Sequence, residues 1–530
     1  MKKLAIVTTL ASIVGLGLGL HDVPRAEAFC GFYINGAGGE MFNNATQVVL
    51  MRSGTRTVLA MQNNYQGPPS EFALVVPVPV VLQETDVKTL TKDVFAKVDT
   101  MGAPRLVEYW EQDPCQSRDW GVERMAFSAS VAESPPAGKD EGGYGVKVEA
   151  KFTVGEYDIV ILSATESTGL DRYLRDQQYK IPAGAEPLLR PYVEGGSKFF
   201  VAKVNPKKVK FENGQAMLSP LRFHYDSDEF SLPIRLGLAN ARDKQDLIVN
   251  ILAQGQRYEL ANYKNVTIPT NFDVKDEVRT RFGEFYAALF DRTVQQNPGA
   301  IITEYSWDAS TCDPCPGPRL DGNDFATLGA DVIDSSSQQQ ASGNRRVRPR
   351  GRFGFVLTRL HARYGKTGAP NDLVFKVAPP IVGGREHRTA NGELEHGAEP
   401  ASVNNFQGRY AIRHEWTGPI TCASPVRGRW GGPPAGSQQL AQGTKAATNL
   451  AFAPRGTVQL PMLVLRDLPE IGLRQGVAFP APPPEPEQPL PGGAKFQAQS
   501  KAQGCGCETG STSGSAVLAG VLLLVLRRRR

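Results

Sequence analysis

Short β-branched and aromatic runs, set apart by turn pairs, recur along most of this chain, and that pattern points to antiparallel sheet. Gln47 to Arg52 and Thr55 to Met61 flank Ser53-Gly54, and Tyr144 to Val154 and Tyr157 to Leu162 flank Gly155-Glu156. Each set reads as a hairpin. Phe72 to Val80 is also apolar, but Pro77 and Pro79 predict an edge or irregular strand. Further strands are expected at Lys198–Val204, Leu221–Tyr225, Ile234–Ala239, Leu247–Ala253, Ile301–Trp307, Phe353–Tyr364, Leu373–Ala378 and Gln407–Trp416. Helical periodicity is rarer: Val87–Val98, Gly169–Gln178 and, most clearly, Val274–Gln295, where Val278, Phe282, Phe285, Leu289 and Arg292 fall at helical steps. Those aromatics read as core contacts. The expected class is α+β, mainly antiparallel β-sheet with a few helices, in a disulfide-braced exported ectodomain.

The ends carry targeting patterns. Lys2 and Lys3 precede an apolar run from Leu4 to Leu20 and an Ala26-Glu27-Ala28 site, so a signal peptidase is expected to cut after Ala28. Phe29 before Cys30 excludes a lipobox, which needs a small residue there. Near the other end, Cys505-Gly506-Cys507 is followed by an apolar run from Ala516 to Leu526 and by Arg527 to Arg530. The terminal arginines are expected to stay cytoplasmic, leaving the rest of the chain outside. This order of cysteine motif, short apolar helix and arginine cluster resembles the myxobacterial MYXO-CTERM sorting tails. The resemblance implies cutting by an intramembrane sorting protease at Cys505 or Cys507, and membrane attachment through the tail at the outer cell surface. A plain single-span anchor is the alternative.

Between these ends about 475 residues remain, enough for two or three domains. The expected organisation is a signal peptide (1–28), a β-rich domain (29–333), a flexible polar and basic loop (334–352), a β-rich extension (353–478), a proline-rich spacer (479–503) and the sorting tail (504–530). Arg345, Arg346, Arg348, Arg350 and Arg352 in the loop read as solvated, with contact to anionic envelope polymer as the alternative. The spacer favours polyproline II; at about 3.1 Å per residue it spans a few tens of Å. The net charge of +5 falls to about +1 once the seven basic and three acidic residues of the targeting ends are set aside, so no nucleic-acid partner is expected.

Five cysteines lie in the exported body: Cys30, Cys115, Cys312, Cys315 and Cys422. In an oxidising compartment they are expected to pair with one left over, and the sequence does not choose the pairing. Cys312-Asp313-Pro314-Cys315 has redox spacing, yet Asp313 opposes thiolate formation and prolines follow at once, so a structural disulfide is the preferred reading over redox activity or zinc. His387 and His396, among Glu386, Glu393, Glu395 and Glu399, read as solvated loop residues. His224, with Asp226, Asp228 and Glu229, reads as an acidic turn without calcium-loop spacing. His414-Glu415 lacks the second histidine of H-E-x-x-H, and no nucleophile elbow, phosphate loop or dinucleotide fingerprint is found in the body. No cofactor and no metal are expected.

Several patches resemble the bacterial domain of unknown function 2330 family. They are Cys30-Gly31-Phe32-Tyr33, Asn43 to Gln66, Phe72 to Pro79, Leu170 to Tyr179 before Ile181-Pro182, Phe230 to Leu236, and Trp307 to Pro316 with its CDPC. The resemblance spans most of Phe29 to about Gly329. Arg413 to Gly418 and Arg427 to Pro434 resemble the C-terminal extension of myxobacterial members. The family implies export and no agreed activity. The leading expectation is a non-catalytic envelope protein serving binding, adhesion or envelope organisation, with the surface ligand unknown. The alternatives are an envelope thiol-disulfide oxidoreductase or chaperone using the CDPC pair, and a surface hydrolase with a non-local active site.

Overall fold

The computed structural model describes residues 32–35, 42–43, 46–115, 145–333 and 354–479, apart from short stretches inside those ranges. The signal segment, the 334–352 loop, the sorting tail and all but the first residue of the proline-rich spacer lie outside the described residues.

The chain opens with strands Phe32–Asn35 (β1), Thr46–Ser53 (β2), Arg56–Gln62 (β3), Phe72–Val78 (β4) and Val87–Thr89 (β5). Helix Asp93–Gly102 (α1) and strand Arg105–Glu111 (β6) follow. Val146–Val154 (β7) and Tyr157–Ala164 (β8) form a hairpin that leads to helices Ser167–Asp176 (α2) and Glu186–Glu194 (α3). Next come strands Lys198–Val204 (β9), Leu221–Asp226 (β10) and Gln245–Gln254 (β11), then helix Phe282–Gln296 (α4). The principal strands end with Ala300–Asp308 (β12), Phe355–Tyr364 (β13), Asn405–Gln407 (β14) and Arg409–His414 (β15). Both expected hairpins form, with Gly54 at φ +56° and Gly155 at φ +57°, the left-handed geometry that tight turns of this kind reserve for glycine.

Four layers result. A five-stranded antiparallel sheet, β1-β4-β9-β8-β7, packs on an eleven-stranded mixed sheet whose centre runs β14-β12-β13-β11-β2-β3-β10-β5. Their shared core includes Leu50, Leu59, Val76, Ile159, Phe200, Val249 and Ile251. Helices α2 and α3 cover the outer face of the small sheet through Leu170, Leu174 and Leu189. On the far face of the large sheet lie α1, through Phe95 and Val98, and α4, through Phe285 and Phe290. Strand β11 is therefore buried on both sides, which is why Leu247 to Ala253 reads as an apolar run broken only at Asn250. The protein is of the α+β class.

The structure departs from the sequence expectation at several elements. Phe72–Val78 is not an edge strand: it lies between β1 and β9. Pro77 is tolerated because it sits past the end of the β1 register, which stops at Val75, so only β9 pairs beside it. Val87 to Val98 is not one helix, because Val87–Thr89 is drawn onto the edge of the large sheet beside β10 and the helix starts at Asp93. Ile234 to Ala239 is a 3-10 turn over Arg235–Ala239 rather than a strand. Asp372 Oδ1 accepts from the Ile234 and Arg235 amides and fixes that turn. Gln407–Trp416 is two strands split at Gly408, where the chain leaves the large sheet and β15 pairs with β6 in a third sheet. A Cβ on Gly408 would stand 3.2 Å from Pro104 Cβ, so a larger residue at the crossing would need Pro104 to give by a few tenths of an ångström.

The segment after the polar loop does not stand apart from the part before it. Strand β13 is inserted between β11 and β12, and β15 between Phe272–Asp273 and β6. Farther on, Leu460, Leu463, Val464, Leu468, Ile471 and Leu473 close the core over α4.

Candidate functional site

The polar centre of the molecule is made by a β-bulge. Between Thr303 and Tyr305 the register of β12 against β13 slips by one residue, and Glu304 is the extra residue. The bulge aims its side chain at the charged face of β13. On that strand Arg359, His361 and Arg363 alternate along the face that meets α4 and α1, while Leu360 and Ala362 point into the inter-sheet core.

Glu304 Oε1 lies 2.6 Å from His361 Nδ1 and accepts from Tyr286 OH of α4, also at 2.6 Å. Its other oxygen accepts from Arg359 Nε at 2.7 Å. His361 Nε2 lies 3.0 Å from Asp246 Oδ1 of β11, and the imidazole stacks on Phe290 with centroids 3.8 Å apart. Arg359 reaches on to Asp99 Oδ1 of α1 at 2.6 Å. Asp246 also receives Arg363 and Arg455, and Arg455 continues to Asp291 of α4. Glu304 and Arg359 are wholly buried, and His361 is 1% exposed.

Burial pushes the Glu304 carboxyl up, but His361 and Arg359 outweigh it and hold it at about 2. Burial pushes His361 down, and Glu304 and Asp246 more than reverse this, so it is raised above its ordinary value. Burial and the neighbouring Glu304 drive the Tyr286 phenol well up. Both imidazole nitrogens face carboxylate oxygens, an arrangement that favours the protonated ring donating from each. Chemically this is a buried ion lattice that locks β11, β12 and β13 to α1, α4 and the segment carrying Arg455. None of these side chains stands out in the sequence as a candidate site residue. The available signal was the alternation Arg359-Leu-His361-Ala-Arg363 inside an otherwise apolar strand.

The expected disulfide residues divide. Cys115 pairs with Cys422 across 307 positions of sequence, and Cys312 pairs with Cys315. Cys30, Ala28, Cys505 and Cys507 lie outside the described residues, as do Glu386, His387 and Glu393. Beside the long-range bridge, Glu111 is a second organising carboxylate. It accepts from both Arg427 Nε and Nη2 and from the amides of Trp416 and Gly428, so one side chain draws in both ends of the loop that carries Cys422. Arg427 in the first place, with those two amides, outweighs burial and holds Glu111 at about 2. The remaining histidines are scattered. His224 lies 3.4 Å from Asp86, His396 contacts Arg466, and His414 lies 3.0 Å from Glu108 and stacks on Trp110. Among the described residues no helix is long and apolar enough to cross a membrane.

A family model described as an uncharacterized protein conserved in bacteria, DUF2330, matches residues 24–376. No curated protein matches the chain. A crystal structure of baculovirus P35 is similar at 12% identity and a TM-score of 0.19, over 42% of this chain and 66% of that one, just under two thirds of its length. So low a score carries no argument about fold or function.

Proposed function

The chain belongs to the DUF2330 family of uncharacterised proteins conserved in bacteria, and from that premise we propose that it is an exported, non-catalytic protein displayed at the cell envelope. Its role on this reading is surface binding, adhesion or envelope organisation. The carrying observation is the Cys115–Cys422 bridge, which ties together segments 307 positions apart. Such a bond forms and persists in oxidising compartments and is rare in the cytosol. The Lys2 to Ala28 pattern supports the same route, and the Cys505 to Arg530 pattern supports attachment by the tail. The non-catalytic part of the reading is supported by His361, the most buried histidine of the described residues, whose two nitrogens are both committed to carboxylates.

The test is protease shaving of intact cells that produce either the full chain or a chain lacking 504–530. The reading expects the full chain to be cut on intact cells and the shortened chain to appear in the medium. Protection of both until lysis would contradict it. A turnover abolished by a single substitution would overturn the non-catalytic part.

A further inference from the structure

We propose that Cys315 is a covalent attachment site for a partner protein's cysteine thiol, reached by thiol–disulfide exchange at the Cys312–Cys315 bond. The two bridges of the described residues differ in their settings. Cys115 and Cys422 are both half-buried, Cys422 within the loop organised by Glu111. Cys315 is exposed, whereas Cys312 is half-buried and packs against the core formed with α1. An incoming thiolate must attack along the S–S axis, opposite the leaving sulfur. Because Cys312 faces the core, the open approach is to Cys315.

The loop bearing the pair is fastened independently of its own disulfide. Arg105 is fully buried and donates from Nη1 to Pro314 O at 2.9 Å and from Nη2 to Met101 O at 2.6 Å. Gln407 Nε2 donates to Asp313 O at 3.0 Å and to Gly384 O at 3.1 Å. The backbone between the two cysteines is thus tied to β6 and β14, and it keeps its shape when the sulfur bond opens. That holds the released Cys312 close to Cys315, so exchange is readily reversed.

The step balances without an external oxidant. The partner thiol gives its proton to water, and its thiolate forms a bond to Cys315 Sγ. The Cys312–Cys315 bond breaks, and Cys312 leaves with the electron pair and takes a proton from water. One disulfide is consumed and one is formed. The product is a mixed disulfide between this chain and its partner, held reversibly because the Cys312 thiol stays beside it. The exchange stands on the loop's geometry and does not depend on the display reading.

The experiment uses glutathione as the probe on the purified full chain. Oxidised wild-type protein is exposed to reduced glutathione, acid-quenched and mapped by mass spectrometry. The C312S variant is treated in parallel with oxidised glutathione. The proposal expects glutathione on Cys315 of C312S and, trapped by the acid quench in a fraction of wild-type chains, glutathione on Cys315 with a free Cys312, the Cys115–Cys422 bridge staying unchanged in both. Attachment at Cys312, exchange of Cys115–Cys422 as fast as that of Cys312–Cys315, or no adduct in the wild type would overturn it. The wild-type arm decides the matter if C312S does not fold.

Discussion

Glu304 and His361 face each other 2.6 Å apart across a β-bulge, with neither side chain in reach of solvent. A buried ion pair of this kind is costly to break, because its surviving member is left charged and without its counter-ion. Glu304→Gln keeps the shape and removes the charge, so Arg359 retains only Asp99 and His361 only Asp246 as anionic partners. We expect it to lower unfolding stability by about 3–5 kcal/mol. Arg56→Ala, which breaks the exposed Arg56–Asp226 pair, should cost less than about 1 kcal/mol. Urea denaturation of the two variants beside wild type checks the contrast.

The same pair sets the pH dependence, and its two members act in opposite directions. Glu304 is depressed from 4.5 to about 2, so its contribution is complete above 4.5 and is lost as the pH falls toward 2. His361 is raised above 6.5, so its contribution is complete below 6.5 and is lost as the pH rises through its folded-state value. A stability maximum between these limits is expected in urea midpoints measured across pH. His361→Gln should remove the alkaline decline and leave an acid decline in place.

The long-range bridge should act chiefly on the unfolded chain. Closing a loop of 307 positions removes much of its freedom, and Cys115→Ser with Cys422→Ser should cost about 2–5 kcal/mol. The loop between Trp416 and Gly428 should stay attached through Glu111 in that variant. Thermal unfolding gives the first value, and amide exchange at Gly428 the second.

Arg455 fastens the last described segment to the lattice through Asp246 and Asp291. Arg455→Ala should therefore loosen residues 457 to 473 before the rest of the molecule. Amide exchange should rise at Leu463, Leu468 and Leu473, whose amide hydrogen bonds hold that segment, while Val249 and Ile251 in the large sheet stay protected. Uniform loss of protection would show that the segment and the sheet unfold as one unit.

Much of the local structure was legible, because local chemistry determines it. Ser53-Gly54 and Gly155-Glu156 marked both hairpins, and the spacing of Phe282, Phe285 and Leu289 marked α4, although the helix begins at Phe282 and not at Val274, because Val274 bridges to Val464 and Asp276–Arg279 forms a 3-10 turn. What escaped was set by distant partners. Val87 looks helical until Phe223 draws it onto the sheet edge, and Ile234 looks extended until Asp372 captures its amide. Strand β6, with Leu106 and Val107, escapes the pattern because it is interrupted by Arg105, Glu108 and Glu111, which are committed to Pro314, Arg279 and Arg427, all remote in sequence. Glu304 was invisible for the same reason, since a bulge is a property of two strands together. The Cys115–Cys422 pairing could not be chosen among alternatives by a sequence that brings its partners together only after folding.

The most direct test of the central claim is the intact mass and disulfide map of the protein recovered from the envelope fraction of its own cells. The account predicts a chain that begins at Phe29, is shortened at Cys505 or Cys507, and carries an oxidised Cys115–Cys422 pair. A cytoplasmic chain that begins at Met1 and carries reduced Cys115 and Cys422 would contradict it.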